Sequence, residues 1–210
     1  MNQLPERRFH PREDIDPRVR EAMTAMPREH FLAPELRKLA YVDCPFDIGV
    51  GQTNSQPSVV ERMLDLLQVQ PGQRVLDVGS GSGWTSALLA HLVGADGSVL
   101  GVERQPELID LSRTTLTELG LDRVEIRRAQ DGVFGWPQEA PFSRILVSAA
   151  PDEVPEGLVE QLDDGGIMVI PVAGIVHRVE RRGTEIIDTE HGEARFVPLI
   201  AEGVADDGQE

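Results

Sequence analysis

A single cysteine, Cys44, stands among 210 residues, so the chain can neither close an internal disulfide nor build a cysteine-based metal cluster. The five histidines show no paired metal-ligand spacing and read as scattered surface or core residues, so no metal is expected. No run approaches the roughly 18 apolar residues of a membrane-spanning helix. No basic N-terminus precedes an apolar stretch of the kind that directs secretion. These absences place the expected protein in the cytoplasm and away from membranes. Basic residues are scarce as well: 20 Lys and Arg against 36 Asp and Glu give a formal charge of −16. Such a surface repels polyanions, and nucleic-acid recognition normally needs a basic face. Two arginine groups (Arg123, Arg127, Arg128 and Arg178, Arg181, Arg182) read as the solvated faces of strands. The Asp/Asn-Pro-Pro-aromatic segment of base methylation is missing, and Ala149-Ala150-Pro151-Asp152 does not replace it. Nucleic acid is therefore not an expected partner.

What is present alternates short β-like apolar runs with helix-like windows, the pattern of βαβ units on a largely parallel sheet. The length suits one domain, 1–210, with a full core. It divides into an N-terminal helical and loop cap with a substrate loop (1–57), a doubly wound Rossmann-like core (58–199) and an acidic tail (200–210). Asp16-Pro17 predicts a capped helix through Met26. The Gly- and Pro-rich stretch 44–57 predicts a loop or short hairpin over one end of the sheet. Val60, Met63, Leu64 and Leu67 mark one face of a helix. Strands are predicted at 74–78, 98–103, 124–128, 144–148 and 166–171. Helices are predicted at 83–93, 106–119 and 155–162. The runs 175–181 and 184–188 predict an antiparallel hairpin turning at Arg182-Gly183. A monomer is expected.

The most specific feature is V-L-D-V-G-S-G-S-G at 75–83. An apolar strand runs into Gly79, Gly81 and Gly83 and then into a helix, so backbone can press against a ligand at the helix N-terminus. The dinucleotide pattern needs glycine or alanine at position 84, and Trp84 stands there, which fits a cofactor without a pyrophosphate. Glu103 closes the next apolar run, where a carboxylate can accept ribose hydroxyl hydrogens. Together these point to S-adenosyl-L-methionine. Asp77, Gly79, Ser80, Gly81, Gly83, Glu103 and Arg104 are the expected cofactor contacts. Asp131 and Gly132 follow the third strand; Asp131 either bonds an adenine amino group or is an ordinary Asp-Gly turn residue.

Several segments resemble the protein-L-isoaspartate O-methyltransferase family of class I methyltransferases, over about residue 15 to Leu199. They are M-P-R-E-H-F (26–31), A-Y-V-D-C-P (40–45), I-G-V-G-Q-T-N-S-Q-P (48–57), the glycine motif, V-E-R (102–104), D-G-V-F-G-W-P (131–137), I-L-V-S-A-A-P-D-E-V-P (145–155) and R-F-V-P-L (195–199). The resemblance implies carboxyl methylation of L-isoaspartyl residues in damaged proteins and peptides, an ester that cyclises to a succinimide, and partial return to aspartate. It also implies that Ser55 is the active-site serine and that 48–57, with Thr53 and Asn54, holds the substrate carboxylate. Two features depart from the family: Asn54 stands where isoleucine is usual, and 171–179 is shorter and lacks a glycine–glutamine pattern. Asn54 either bonds the substrate backbone or faces solvent; 171–179 is expected to border the substrate entrance. These departures motivate an alternative, a relative that methylates an aspartate of one dedicated peptide or a small-molecule carboxylate. A binding module without turnover is the non-enzymatic reading, which the intact Thr53, Ser55 and Pro57 oppose.

Overall fold

The computed structural model describes residues 7–201; positions 202–210, most of the expected acidic tail, lie outside the described residues. The cap begins as its sequence dictates. The Asp16 carboxylate accepts from the Arg18 N–H (2.8 Å) and Pro17 occupies the first turn of α1 (Pro17–Ala25). Two single turns of 3₁₀ helix follow, Arg28–Phe31 and Arg37–Leu39. The Gly/Pro-rich stretch forms an antiparallel hairpin, β1 (Phe46–Gly49) with β2 (Gln52–Asn54), pairing Asp47 with Thr53. Helix α2 (Pro57–Leu67) then buries Val60, Met63, Leu64 and Leu67, the face that their spacing predicts.

The core follows as β3 (Arg74–Val78), α3 (Trp84–Val93), β4 (Ser98–Glu103), α4 (Pro106–Glu118), β5 (Val124–Arg128), β6 (Phe142–Val147), α5 (Glu156–Val159), β7 (Leu162–Val172), β8 (Ile175–Arg182) and β9 (Glu185–Glu193). These seven strands form one sheet in the order β5-β4-β3-β6-β7-β8-β9. The first five run parallel and the last two add antiparallel, turning at Gly183-Thr184, one residue beyond the expected Arg182-Gly183. The predicted helix 155–162 shrinks to one turn because Leu162 is drawn into the sheet opposite Phe142.

The winding is unequal between the two faces. Val75, Val99, Ile126, Leu146, Ile167 and Val176 form a continuous apolar layer with α1, α2, α3 and α4. On the other face Leu76, Val78, Leu100, Val102, Ile145 and Val147 pack against Leu158 of α5 and against Phe134, Trp136 and Leu199 from irregular segments. Residues alternate between the two layers along each strand, as a sheet covered on both sides requires. Three of the six arginines in the two basic groups are spent in ion pairs. Arg127 meets Glu125 and Glu139, and Arg178 and Arg182 both meet Glu180.

Candidate active site

A cavity opens at the carboxyl ends of β3, β4 and β6, where open α/β sheets place their ligands. Its floor is the glycine turn. The Gly79 and Ser80 N–H groups donate to the Val102 carbonyl (2.8 and 3.2 Å), which ties the turn to β4. Gly81 takes φ +54°, a conformation that disfavours any Cβ, and a Cβ there would press on Ile48 Cδ1 at 3.4 Å. Glu103, only 6% exposed, is the anchor of this end. Its Oε2 accepts from the Gly81 N–H (2.9 Å) and its Oε1 from the Arg104 and Gln105 N–H groups (2.7 and 2.9 Å). Three of a carboxylate's roughly four acceptor directions are thus filled, leaving about one for a ligand hydroxyl. Gly79, Ser80, Gly81, Glu103 and Arg104 all line the cavity, beside an apolar wall of Val78, Val102, Ala129, Val133 and Phe134. That polar rim and apolar slot fit a nucleoside.

Four residues expected at the cofactor do not line the cavity. Asp77 is fully buried, and its Oδ2 accepts from the Thr85 and Ser86 hydroxyls (2.8 and 2.6 Å). Its place in the sheet explains this: Val75 and Asp77 share the face covered by α3, so the carboxylate fastens the first turn of α3 to β3. Burial pushes the Asp77 carboxyl up to about 6, with the two hydroxyls pulling it back and Glu103 adding to the rise. Gly83 caps α3 with φ +90°, and a Cβ there would meet Ser112 Cβ at 3.1 Å and Leu116 of α4. Its bareness serves helix packing. Asp131 and Gly132 form an exposed turn just before the cavity wall at Val133.

Thr53, Asn54 and Ser55 form the opposite lip of the same cavity. Ser55 Oγ has no hydrogen-bond partner among the described residues and is free to receive a ligand. Asn54 does not face solvent, the second of the two readings its position allowed. At 4% exposure it is buried, its Oδ1 accepting from Arg28 Nε (2.6 Å) and its Nδ2 donating to Ser82 Oγ (3.0 Å). The side chain is a brace between cap and glycine turn. The segment 171–179 lines neither the cavity nor its mouth, because β7 and β8 meet in the two-residue turn Ala173-Gly174.

Arg28 is the functional residue that the sequence reading passed over. It is 3% exposed. It lies over the rings of Phe46 and Trp84, with its guanidinium carbon 4.8 and 5.4 Å from the centroids. Besides Asn54 Oδ1 it donates to the carbonyls of Ala40, Val42, Cys44, Asn54 and Ser55, all within 3.3 Å. Burial pulls it down to about 10, so it remains cationic at neutral pH. The M-P-R-E-H-F segment was the available signal. The other unpredicted wall is Val197–Ile200, held by the Ala150 N–H to the Val197 carbonyl (2.8 Å) and the Leu199 N–H to the Ala150 carbonyl (2.9 Å).

The arrangement sets a nucleoside-shaped slot beside a hydroxyl-bearing turn, with no histidine lining the cavity to serve as a base. Among the described residues, no three His, Cys, Asp or Glu side chains converge to hold a metal ion. The slot suits transfer of a group from a nucleoside cofactor to an acceptor that is already nucleophilic.

The family model described as protein-L-isoaspartate(D-aspartate) O-methyltransferase matches residues 3–203. A protein-L-isoaspartate O-methyltransferase of Methanopyrus kandleri is 48% identical over 192 residues, covering 88% of this chain and 84% of its own. One from Cronobacter sakazakii is 46% identical over 189 residues, covering 88% of each. A solved protein-L-isoaspartate O-methyltransferase superposes with TM-score 0.79 at 27% identity, over 88% of this chain; the chain spans 62% of that longer one. A Plasmodium falciparum protein described as a beta-aspartate methyltransferase, in complex with S-adenosyl-L-homocysteine, gives TM-score 0.76 at 26% identity, covering 89% and 92% of the two chains.

Proposed function

The chain belongs to the protein-L-isoaspartate(D-aspartate) O-methyltransferase family. From that premise we propose that it methylates the free carboxylate of L-isoaspartyl residues in damaged proteins and peptides, with S-adenosyl-L-methionine as donor. The observation that carries this reading is the free Ser55 hydroxyl on the turn that shares one cavity with Glu103.

When bound, the cofactor supplies an electrophilic methyl group on a sulfonium. Glu103 and the Gly79–Gly81 backbone would hold its ribose and methionine ends, and Val133 and Phe134 its base. A substrate carboxylate has an unperturbed pKa of about 4, so it is ionised at neutral pH and needs no general base. Ser55 Oγ, with Thr53, would bond one carboxylate oxygen and leave the other to attack in line. Arg28 fixes the carbonyls of residues 54 and 55, so the backbone that carries the hydroxyl is held before substrate arrives. Asp77 and Gly83 act one step back, by setting the position of α3.

We read 1–210 as a single domain acting as a monomer in the cytoplasm, on peptides and not on nucleic acid or membranes. Two facts support this: the formal charge of −16, and the lack, among the described residues, of any helix long and apolar enough to cross a membrane. Asn54, turned inward, gives no support to a dedicated peptide or small-molecule substrate.

The test is methyl transfer to paired peptides that differ only in an isoaspartyl or aspartyl linkage. Transfer to the isoaspartyl member alone is expected. Equal transfer to both would end the reading. Ser55→Ala is expected to lower kcat more than it weakens S-adenosyl-L-homocysteine binding, and equal losses would remove the serine from its assigned role.

A further inference from the structure

The cavity does not end at Ser55. Thr53 and Ser55 form a sill shared with a second groove, which runs outward between Arg12, Arg62 and Arg195. Three guanidiniums on one groove run against a composition in which acids outnumber bases 36 to 20. Ion pairing absorbs the charge of only one of the three. Arg12 holds Asp14 in two-point contact at 3.0 and 2.6 Å. Arg62 Nη2 donates to the Glu193 carbonyl (2.8 Å), while its Nε is buried with no acceptor. Burial, and then the neighbouring Arg12, hold the Arg62 guanidinium below its ordinary pKa. Arg195 is exposed and has no hydrogen-bond or ion-pair partner among the described residues. Among the described residues, Glu193 is the only carboxylate residue in the lining.

Like charges gathered in a groove, two of them with no carboxylate partner among the described residues, form a surface that an anion completes. A guanidinium presents parallel N–H groups that match a carboxylate in two-point contact. The groove begins at the residues that would grip the reacting carboxylate, so what lies in it is the peptide on one side of that residue. Resting on the isoaspartyl reading, we propose that this groove receives the substrate segment flanking the damaged residue and selects for Asp or Glu side chains there, with Arg195 and Arg62 as the recognising groups. The formal charge of −16 opposes this choice only at long range. At about 0.15 M salt, interactions beyond roughly 8 Å are screened while contacts in the groove persist.

The experiment uses three isoaspartyl peptides with Glu, Gln or Lys in the flanking positions, each beside its aspartyl twin, with the full-length protein and S-adenosyl-L-methionine at about 0.15 M salt. Per flanking carboxylate, kcat/KM is expected to rise about fivefold from Gln to Glu, carried by KM, and to fall by a similar factor from Gln to Lys. Arg195→Glu is expected to place the Lys peptide above the Glu peptide. Raising the salt should compress the wild-type order, a readout that needs no variant. A flat order with the isoaspartyl preference intact would overturn the groove and leave the reaction standing, as would an order that Arg195→Glu does not change. Loss of the isoaspartyl preference itself would overturn both.

Discussion

Replacing Asn54 by leucine isolates the brace between the cap and the glycine turn. Both side chains fork at Cγ with the same number of heavy atoms, and leucine is the bulkier, so the change removes polarity without opening a cavity. Two bonds disappear: Asn54 Oδ1 from Arg28 Nε at 2.6 Å, and Asn54 Nδ2 to Ser82 Oγ at 3.0 Å. The first is charge-assisted and is worth about 1.5–3 kcal/mol, the second about 1 kcal/mol. Arg28 Nε is then left buried without an acceptor, which puts the expected loss at about 3 kcal/mol. Against a total stability on the order of 5–15 kcal/mol, that is a large share. Arg28 keeps its five carbonyl acceptors, so the 53–55 turn stays seated but loses its tie to Ser82. Urea unfolding should show a lower midpoint at unchanged slope, and turnover should fall about tenfold as the hydroxyl drifts from its line. A double-mutant cycle with Ser82→Ala should show about 1 kcal/mol of coupling. A stability loss under about 0.5 kcal/mol, or strict additivity with Ser82→Ala, would refute the brace.

Two further outcomes follow from the two carboxylates. The folded pKa of Asp77 is raised from 3.8 to about 6, so the native state holds a proton that the unfolded chain releases across that window. Its contribution is therefore full below about pH 4 and is lost as pH rises through 6, a change of about 3 kcal/mol. Asp77→Asn stays neutral throughout, so unfolding measured at pH 4 and pH 7 should show the variant gaining about 2.5 kcal/mol on the wild type; a constant difference would contradict the assignment. Glu103→Ala should weaken S-adenosyl-L-homocysteine binding by tenfold or more in calorimetry, through loss of a charge-assisted ribose bond. Binding within twofold of the wild type would remove Glu103 from the cofactor site.

Much of the core was legible because periodicity and glycine punctuation report local structure directly. The spans of β3, β4 and β5 follow from their apolar runs, and Glu103 from its position at a strand end. Asp77 shows where that logic fails. Lying two residues before Gly79 suggests a ligand contact, but strand alternation puts it with Val75 on the face covered by α3, where Thr85 and Ser86 hold it. The register pairs Asp77 with Gly101, so Glu103 shares its face, and what separates the two carboxylates is that Glu103 stands one step past the end of β3. Arg28 was beyond any such rule. An arginine among charged neighbours reads as surface, and its carbonyl acceptors come from five residues between 40 and 55 that only the folded cap assembles. Asn54 was opaque for the same reason, since its partners lie 26 and 28 residues away.

These two missed residues bear on how the site works. In-line transfer to an already ionised carboxylate asks the protein for position more than for proton chemistry. On the proposed reading the donor side would be held by Glu103 and the glycine turn, and the acceptor side by the 53–55 turn, which belongs to a different part of the chain. Packing alone leaves such a seam free to slide, because apolar contact is non-directional. A cation seated in a ring of carbonyls is directional, and Arg28 passes that constraint through Asn54 to Ser82, beside the glycine turn itself. Leucine or isoleucine at 54 could fill the same space but could not relay it. On this argument the polar residue at position 54 adds a directional tie between the 53–55 turn and the glycine turn, a seam that the isoleucine usual in the family would hold by packing alone.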